Sequence, residues 1–317
     1  MSKKLITVFG ATGAQGGGLA RAILAEPKGD FAVRAVTRKP DSAAARALSR
    51  AGAEVFVADL DDAPGVARAM QGAYGAFCIT NFWEHFSPEK ELAQAETLAA
   101  AAAAAAAKLQ HVIWSTMEDT RNTIPVGGGQ MPVLSGKYNV PHIDAKGEAN
   151  HFFLDRGLPV TLLHTSFYWD NFIHFGMGPS AGPDGKLVIT LPMGKAKLPG
   201  IAVEDIGRSA LGIFKLGAAA AGQSVGIAGE HLSGEEMAAA FSKLLGQPVA
   251  YNAVTPEVYR GFDFPGAADL ANMFQFKRDF ETTYRAARSV VATRNFNPQL
   301  MNFDQWLAAH RSSFVKT

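Results

Sequence analysis

The chain has 317 residues, 48% of them hydrophobic and 19% charged, and its formal net charge is +1. These values describe a compact folded protein, and they exclude a disordered chain and a strongly basic nucleic-acid-binding protein. The single cysteine, Cys78, excludes an internal disulfide and a zinc site built from cysteines. Redox chemistry would therefore need a bound cofactor. Neither a secretory leader nor a membrane span is predicted, so the expected location is the cytoplasm.

The first half of the chain alternates short apolar runs with helical patterns, which predicts a doubly wound parallel sheet covered by helices on both faces. The predicted strands are 5–9, 33–36, 54–58, 76–79, 111–114 and 160–163. The predicted helices are 14–25, 41–51, 62–71, 86–108 and 142–156. In such an α/β fold ligands bind at the carboxyl ends of the strands, so the residues after each strand are the candidates for a site.

Beyond residue 165 the alternation ends. We expect a nucleotide-binding domain at 1–165 and a smaller α+β lobe at 166–317, interleaved with the first domain, over the ligand edge of the sheet. The elements predicted there are a strand at 187–190 and helices at 203–216, 234–245, 256–261 and 303–314. The long loop 116–140 holds three consecutive glycines and no apolar period, so we expect it to cover a ligand.

A glycine-rich turn joins the first strand to the first helix, and its residues are Gly10, Ala11, Thr12, Gly13, Ala14, Gln15 and Gly16. Gly10 permits a sharp turn, Gly13 lets backbone N–H groups approach a pyrophosphate, and Gly16 lets the helix pack on the strand. The alternative is an ordinary glycine-rich turn, but the position between strand and helix favours a dinucleotide site. Glycines spaced by threes are typical of extended and atypical short-chain dehydrogenases.

The end of the second strand indicates which dinucleotide is bound. An NAD site needs a carboxylate about 20 residues after the glycines, to accept hydrogen bonds from the adenosine ribose. Here the strand ends in Arg38 instead, and a guanidinium suits the charge and geometry of a 2′-phosphate. We therefore predict NADP(H), with a solvated surface arginine as the alternative.

The ends of the third and fourth strands supply further candidates. Asp59 and Leu60 are expected at the adenine, and Asn81, Phe82 and Trp83 follow the fourth strand. Each candidate has an alternative role, because Asp59 could cap a helix and the two aromatic residues could belong to the core.

Two residues on the predicted helix 142–156 are the candidates for catalysis. His142 and Lys146 are four residues apart and share one face of the helix. Short-chain dehydrogenases carry the motif Tyr-x-x-x-Lys on the corresponding helix, and in this chain His142 stands at the tyrosine position. Lys146 can still anchor a cofactor. His142 is either a proton donor or a polar residue at the edge of the site.

Four consecutive residues after the sixth strand complete the predicted cofactor site: Phe167, Tyr168, Trp169 and Asp170. Their position is the sheet edge where a nicotinamide would lie, and aromatic rings can contact its flat face. Adjacent aromatic residues cannot all point the same way, so we expect one or two to line the site. No metal site is predicted.

With these residues identified, the sequence resembles the NmrA-like family of atypical short-chain dehydrogenases, and within it the vertebrate NADPH-sensor branch, the HSCARG type. The resemblance covers nearly the whole chain and rests on the runs VFGATGAQGG (8–17), VTR (36–38), TNFWE (80–84), HIDAKGE (142–148), YWDN (168–171), FPGAADLANMF (264–274) and DQWL (304–307). The last three lie outside any general dinucleotide motif.

The resemblance implies NADP(H) binding through the candidate residues above. It also implies two possible roles, because regulatory members bind the cofactor without turning it over, whereas members similar to quinone and isoflavone reductases transfer hydride. The leading hypothesis is an NADP(H)-binding redox sensor or regulator, and the alternative is an NADPH-dependent reductase of a small carbonyl, quinone or imine. The expected partners are NADPH, a small substrate under the 116–140 loop, a regulatory protein and a second copy in a homodimer, without nucleic acid or membrane.

Overall fold

A computed structural model describes residues 2–182 and 185–315. Within them the strands are β1 (Lys4–Val8), β2 (Phe31–Thr37), β3 (Glu54–Val57), β4 (Gly75–Cys78), β5 (His111–Thr116), β6 (Val160–His164), β7 (Phe167–Tyr168), β8 (Ser180–Ala181), β9 (Leu187–Leu191), β10 (Leu198–Ile201), β11 (Ser224–Gly226), β12 (Glu230–Leu232) and β13 (Val249–Ala253). The α-helices are α1 (Ala14–Leu24), α2 (Ala43–Arg50), α3 (Ala63–Met70), α4 (Pro88–Ala104), α5 (Pro141–Glu148), α6 (Asn150–Leu154), α7 (Asn171–His174), α8 (Val203–Leu216), α9 (Gly234–Leu245), α10 (Pro256–Arg260), α11 (Ala267–Asp279), α12 (Glu281–Ala286), α13 (Val290–Phe296) and α14 (Phe303–Ala309).

The main sheet has seven parallel strands in the order β11-β6-β5-β4-β1-β2-β3. Its central strands are short apolar runs, and all four residues of β4 are buried, because helices cover both faces. The strand order reverses between β1 and β4, which is where doubly wound sheets bind their ligands. The predicted fold class is confirmed.

Helices α1 and α8 cover one face of this sheet and touch through their backbones. A Cβ atom on Gly207 would lie 2.1 Å from the carbonyl carbon of Gly18, so a side chain at this contact would push the helices apart. On the other face the alanine-rich α4 packs closely, with Ala95, Leu98 and Ala102 fully buried. Both predicted helical layers are present.

The structure differs from the sequence prediction at several elements, and the short strands β7, β8, β10, β12 and β13 and the short helix α7 are among those that were not predicted. The seventh strand, β11, was not predicted, and it extends the sheet beside β6. The single helix predicted at 142–156 is two helices, α5 and α6, which meet at Ala149. Helices α11, α12 and α13 were also missed. The physical reason for α11 is that polar residues are buried on it, so it has no simple apolar period.

The later part of the chain builds two small three-stranded sheets, β12-β10-β7 and β13-β9-β8, around a second core that contains Trp169, Phe172, Phe241 and Trp306. It is interleaved with the main sheet, because β11 and α8 both follow residue 165 in sequence. Over the described residues, no helix combines the length and the apolar character needed to cross a membrane.

Candidate functional site

A cleft of about 1200 Å³ follows the carboxyl edge of the main sheet. It is lined by the segments that come after β1 to β6, and its other wall is formed by parts of α5 and α11 and the segments 171–180 and 259–265. Most of the predicted residues line it: Gly10, Thr12, Gly13, Ala14, Gln15, Gly16, Arg38, Asp59, Leu60, Asn81, Phe82, Trp83, His142, Lys146, Phe167 and Tyr168. The fold thus gathers segments that are distant in sequence along one edge.

Three predicted cofactor residues lie elsewhere. Ala11 is fully buried behind the turn. Trp169 points into the second core, where its ring lies 5.4 Å from that of Phe303, because the residue after Tyr168 faces away from the cleft. The Asp170 carboxylate accepts a hydrogen bond from the backbone N–H of Val203 at 3.0 Å, at the start of α8. These three residues were expected to contact a cofactor, and the structure places them outside the lining of the cleft.

The glycine turn has a shape that side chains would obstruct. Gly10 has φ +62°, a left-handed conformation that favours glycine. A Cβ on Gly16 would lie 2.5 Å from the carbonyl oxygen of Gly10, and one on Gly13 would lie 3.3 Å from the same atom. No side chain caps α1, whose N-cap residue is Gly13. The first backbone N–H groups of α1 are therefore open to an anion beside the positive end of the helix.

Arg38 lies at the end of β2 and its guanidinium donates a hydrogen bond to the carboxylate of Glu84. Glu84 belongs to a short 3₁₀ turn, Phe82–Glu84, that follows β4. Hydrogen bonding to Glu84 is the main reason that the pKa of Arg38 is raised above its ordinary value. The side chains of Arg38 and Glu84 are 50% and 45% exposed, so the pair is a solvent-exposed contact that adds little stability.

Lys146 is held by a buried glutamate that sequence reasoning did not find. Its Nζ lies 2.7 Å from Oε1 of Glu91, and it donates hydrogen bonds to the hydroxyl and the backbone carbonyl of Thr80 at 2.7 and 3.1 Å. The Glu91 side chain is fully buried in the first turn of α4. Burial alone raises the pKa of Glu91, but the Lys146 ammonium, the hydrogen bonds from Lys146 and Thr80 and the nearby His85 ring, whose Nε2 lies 3.5 Å from Oε2, lower it to about 2. The ion pair fixes the direction of Lys146.

His142 also has an acidic partner that was not predicted. Its Nδ1 lies 2.6 Å from Oδ1 of Asp269 in α11, and its backbone N–H donates to Oδ2 of the same residue at 3.2 Å. The imidazole lies beside the indole of Trp83, with ring centroids 4.7 Å apart. Nε2 of His142 makes no hydrogen bond within the described residues. Asp269 therefore orients a histidine that lines the cleft and has one ring nitrogen available.

Gln15 connects the glycine turn to the far strands of the sheet. Its side-chain carbonyl accepts a hydrogen bond from the Ser115 hydroxyl at 2.7 Å, and its amide donates to the Tyr168 hydroxyl. Burial is the main cause of a raised pKa at Tyr168, so this phenol stays protonated at neutral pH. The result is a rigid polar bridge across the floor of the cleft.

The 116–140 loop does not cover the cleft as expected. Met117 is the last of its residues on the cleft wall, within the part of the chain that the structure describes. The loop is held against α11, where the carboxamides of Asn272 and Gln275 donate to loop carbonyls at 2.6 and 2.7 Å. These two bonds join the carbonyls of Asn139 and Gln130 to α11, and they hold the loop beside the site. The cover comes instead from 171–180 and 259–265.

Comparison with known proteins identifies the family. The model of the NmrA-like family matches residues 2–307. The chain belongs to the NmrA-like family. It is 30% identical over 294 residues to the NmrA-like family domain-containing oxidoreductase FrzB of Cladobotryum sp, covering 86% of this chain and 83% of the relative. It is 27% identical over 303 residues to oxidoreductase ptmS of Penicillium ochrochloron, covering 89% and 86%.

Two solved structures show that the NmrA-like fold extends over the whole chain. The negative transcriptional regulator NmrA in complex with NADP aligns with a TM-score of 0.78 at 24% identity, over 96% of this chain and 94% of that one. The triphenylmethane reductase of Citrobacter sp. complexed with NADP(H) aligns with a TM-score of 0.74 at 16% identity, over 97% and 99%. At these identities the similarity shows the fold.

The acidic partners in this NmrA-like protein were missed for different reasons. Glu91 stands in a helical first turn with Glu89, where an acidic residue ordinarily stabilises the helix from the surface. Asp269 lies within the run 264–274 that carried the family resemblance, so that run was the available signal. Its contact with His142 spans 127 residues, and no local pattern predicts it.

Proposed function

We propose that this NmrA-like protein is an NADP(H)-dependent oxidoreductase that reduces a planar conjugated carbonyl, quinone or imine. The observation that carries the proposal is the His142–Asp269 pair beside the Trp83 ring in the cleft. The oxidoreductase names of the relatives at 27–30% identity support it. This favours the second of the two roles expected from the sequence.

The cofactor would be held by the groups along the sheet edge. The α1 N-terminus and the glycines would bind the pyrophosphate, and Arg38 would bind the 2′-phosphate that distinguishes NADP from NAD. Lys39 and Ser42 also line the cleft next to Arg38 and would extend the phosphate site. Lys146 would bind the ribose next to the nicotinamide. When bound, the nicotinamide supplies the hydride.

His142 would supply the proton. Its Nδ1 is directed at Asp269, so in the neutral ring Nδ1 carries the hydrogen and Nε2 carries the lone pair. In the protonated ring Nε2–H becomes a donor toward the cleft, and the carboxylate of Asp269 stabilises the positive charge. When the carbon of a carbonyl or imine accepts hydride, its oxygen or nitrogen gains a proton. The Nε2–H of His142 would donate that proton. This replaces the tyrosine that other short-chain reductases use.

The aromatic part of the cleft wall favours a flat, conjugated substrate. Aromatic side chains line it away from the glycine turn: Phe82, Trp83, Phe167, Tyr259, Phe262 and Phe264. Flat conjugated molecules can stack on such rings. Burial raises the pKa of Tyr259 to about 12. Its hydroxyl therefore stays protonated at neutral pH and can donate a hydrogen bond.

The test is NADPH oxidation with a panel of quinones, enones and cyclic imines. We expect turnover above about 1 s⁻¹ with at least one class. Asp269→Asn should lower kcat about 10²-fold while leaving the KM for NADPH unchanged, because the amide cannot stabilise an imidazolium. The matched control is Asp304→Asn, a half-exposed carboxylate in α14 that pairs with Lys243. NADPH binding without turnover of any substrate would contradict the proposal.

A second candidate is a cofactor-dependent regulator, the role expected from the resemblance to the HSCARG-type branch. The Arg38–Glu84 pair favours it, because a phosphate that recruits Arg38 would release Glu84 and the Phe82–Glu84 turn. That turn would then transmit cofactor binding to the surface. The test is the molar mass and hydrodynamic radius with and without NADPH, where a change abolished by Glu84→Gln would support a sensor that acts as a homodimer or toward a protein partner.

A further inference from the structure

Lys277, in α11, is a buried cation on the cleft wall that the proton-transfer scheme above does not use. The residue is 3% exposed and it lines the cleft. Within the described residues its ammonium makes no hydrogen bond and no ion pair. It lies 5.4 Å from the centre of the Tyr284 ring, and a contact with an aromatic face only partly compensates for lost hydration. An ammonium in this position needs an acceptor.

The charged groups nearest to Lys277 do not supply one. Glu118 is the acid whose charge attracts Lys277, and both of its oxygens accept hydrogen bonds from the Arg288 guanidinium, at 2.6 and 2.9 Å. The Arg288 cation itself disfavours a second positive charge. Burial, with a contribution from Arg288 and against the attraction of Glu118, lowers the pKa of Lys277 to about 7. The amine therefore gains from any anion brought to it.

The position of Lys277 on α11 relates it to the proton donor. Leu270, Met273 and Lys277 follow at helical spacing, and all three line the cleft, so one face of α11 forms its wall. Asp269, which orients His142, lies at the start of the same helix. Eight residues separate Asp269 from Lys277, about 12 Å along the helix axis. The length of a two- or three-ring molecule fits between the two ends of this wall.

We infer that Lys277 binds a carboxylate of the substrate, holding an aromatic carboxylate by its charged end while its reducible group lies near His142. The inference rests on the proposed function for the reducible group, but the anion site itself can be tested by binding alone. A carboxylate fits because it supplies the missing acceptor together with the missing negative charge. A neutral carbonyl would supply only the first.

The experiment is calorimetric titration of the protein saturated with NADP⁺, using 2-naphthoate and its neutral analogue 2-naphthamide. We expect naphthoate to bind at least about 10-fold more tightly, as a charge-assisted hydrogen bond predicts. At about pH 8 binding should also take up a proton, because the anion favours the ammonium over the amine. Titration in two buffers of different protonation enthalpy measures that uptake, and Lys277→Met should lose both effects.

The matched control is Lys243→Met, which removes a lysine that is 77% exposed and far from the cleft wall. It should keep the preference for naphthoate and the proton uptake. Lys277→Met should also raise the melting temperature by about 2 °C or more, since it removes an unpaired buried cation. The gain should be largest below pH 7 and should shrink as pH rises, because the folded protein then holds the neutral amine.

Three results would overturn the inference: equal binding of naphthoate and naphthamide, a preference that survives in Lys277→Met, or a lower melting temperature in that variant, which would make the lysine structural. The two proposals fail separately. If no substrate is reduced but naphthoate binds through Lys277, the oxidoreductase proposal fails and the anion site stands. If substrates are reduced and Lys277→Met changes neither naphthoate binding nor the KM of the substrate, the oxidoreductase proposal stands and the anion site fails.

Discussion

The two walls of the cleft are specified in different ways. On the sheet side, the turn between β1 and α1 takes its shape from its own residues. Gly10 adopts a left-handed conformation, and a Cβ added to Gly16 would lie 2.5 Å from the carbonyl oxygen of Gly10. On the opposite side, α11 buries Asp269, Asn272, Gln275 and Lys277, and the first three contact residues outside the helix, among them His142, which is 127 positions from Asp269. Local geometry shapes the sheet-side wall, and contacts with other parts of the chain position the polar side chains of the α11 wall.

This difference indicates where the chemistry of the family can vary. A pyrophosphate site needs glycines at fixed spacing. The polar residues of α11 have no such local requirement. A change at one of them alters what lies opposite the cofactor without disturbing the turn that would hold it, so substrate choice can change while the fold and the cofactor stay the same.

Gly13→Val should give the largest effect, since it tests whether the sheet-side wall binds the dinucleotide at all. The added Cβ lies 3.3 Å from the Gly10 carbonyl, which is tight but tolerable, whereas the rest of the valine would occupy the space where a pyrophosphate approaches the backbone. We expect NADPH and NADH binding to fall by more than about 10²-fold, beyond the loss of any one charged contact. Titration by fluorescence and the far-UV spectrum measure binding and folding. A folded variant that binds normally would show that the turn has no part in binding.

The success of the sequence prediction follows the same division. The six strands β1 to β6 and the glycine turn were found because apolar runs and glycine spacing are local signals. The turn of Trp169 into the second core, the fastening of the 116–140 loop and the pairing of Lys146 with Glu91 depend on partners elsewhere in the chain. The sequence does not show which glutamate or aspartate becomes buried, because burial depends on how the whole chain folds.

Glu91→Gln should give the largest effect on folding stability, and it tests whether the position of Lys146 depends on a distant residue. Removing one partner leaves the Lys146 ammonium uncompensated in a buried site, which costs about 3–5 kcal/mol of unfolding free energy. Chemical denaturation measures that loss. The matched control is Glu89→Gln, two residues earlier on the exposed side of the same helix turn, which should change stability by less than about 0.5 kcal/mol.

The pH dependence of the same pair has a definite sign. The pKa of Glu91 is lowered to about 2 in the folded protein from an ordinary value near 4.5. The stabilisation is therefore complete above pH 4.5 and is lost as pH falls toward 2. Relative to wild type, the deficit of Glu91→Gln should shrink over that interval. A deficit that stays constant with pH would mean that the buried carboxylate is not ionised.

Arg38→Ala and Glu84→Gln are expected to give the smallest effects. They test an ion pair in which one residue is positioned locally and its partner comes from elsewhere in the chain. Arg38 is positioned locally by the end of β2, but its carboxylate partner is 46 residues away. If Arg38 binds the 2′-phosphate, Arg38→Ala should weaken NADPH binding by about 1.5–3 kcal/mol and barely change NADH binding. Glu84→Gln removes the competing negative charge, so it should tighten NADPH binding several-fold and leave NADH binding unchanged. Calorimetric titration of both cofactors measures the difference.

Equal losses of NADPH and NADH affinity in Arg38→Ala would show that the arginine has a structural role. A weakened NADPH affinity in Glu84→Gln would mean that Glu84 positions Arg38 for the phosphate instead of competing with it.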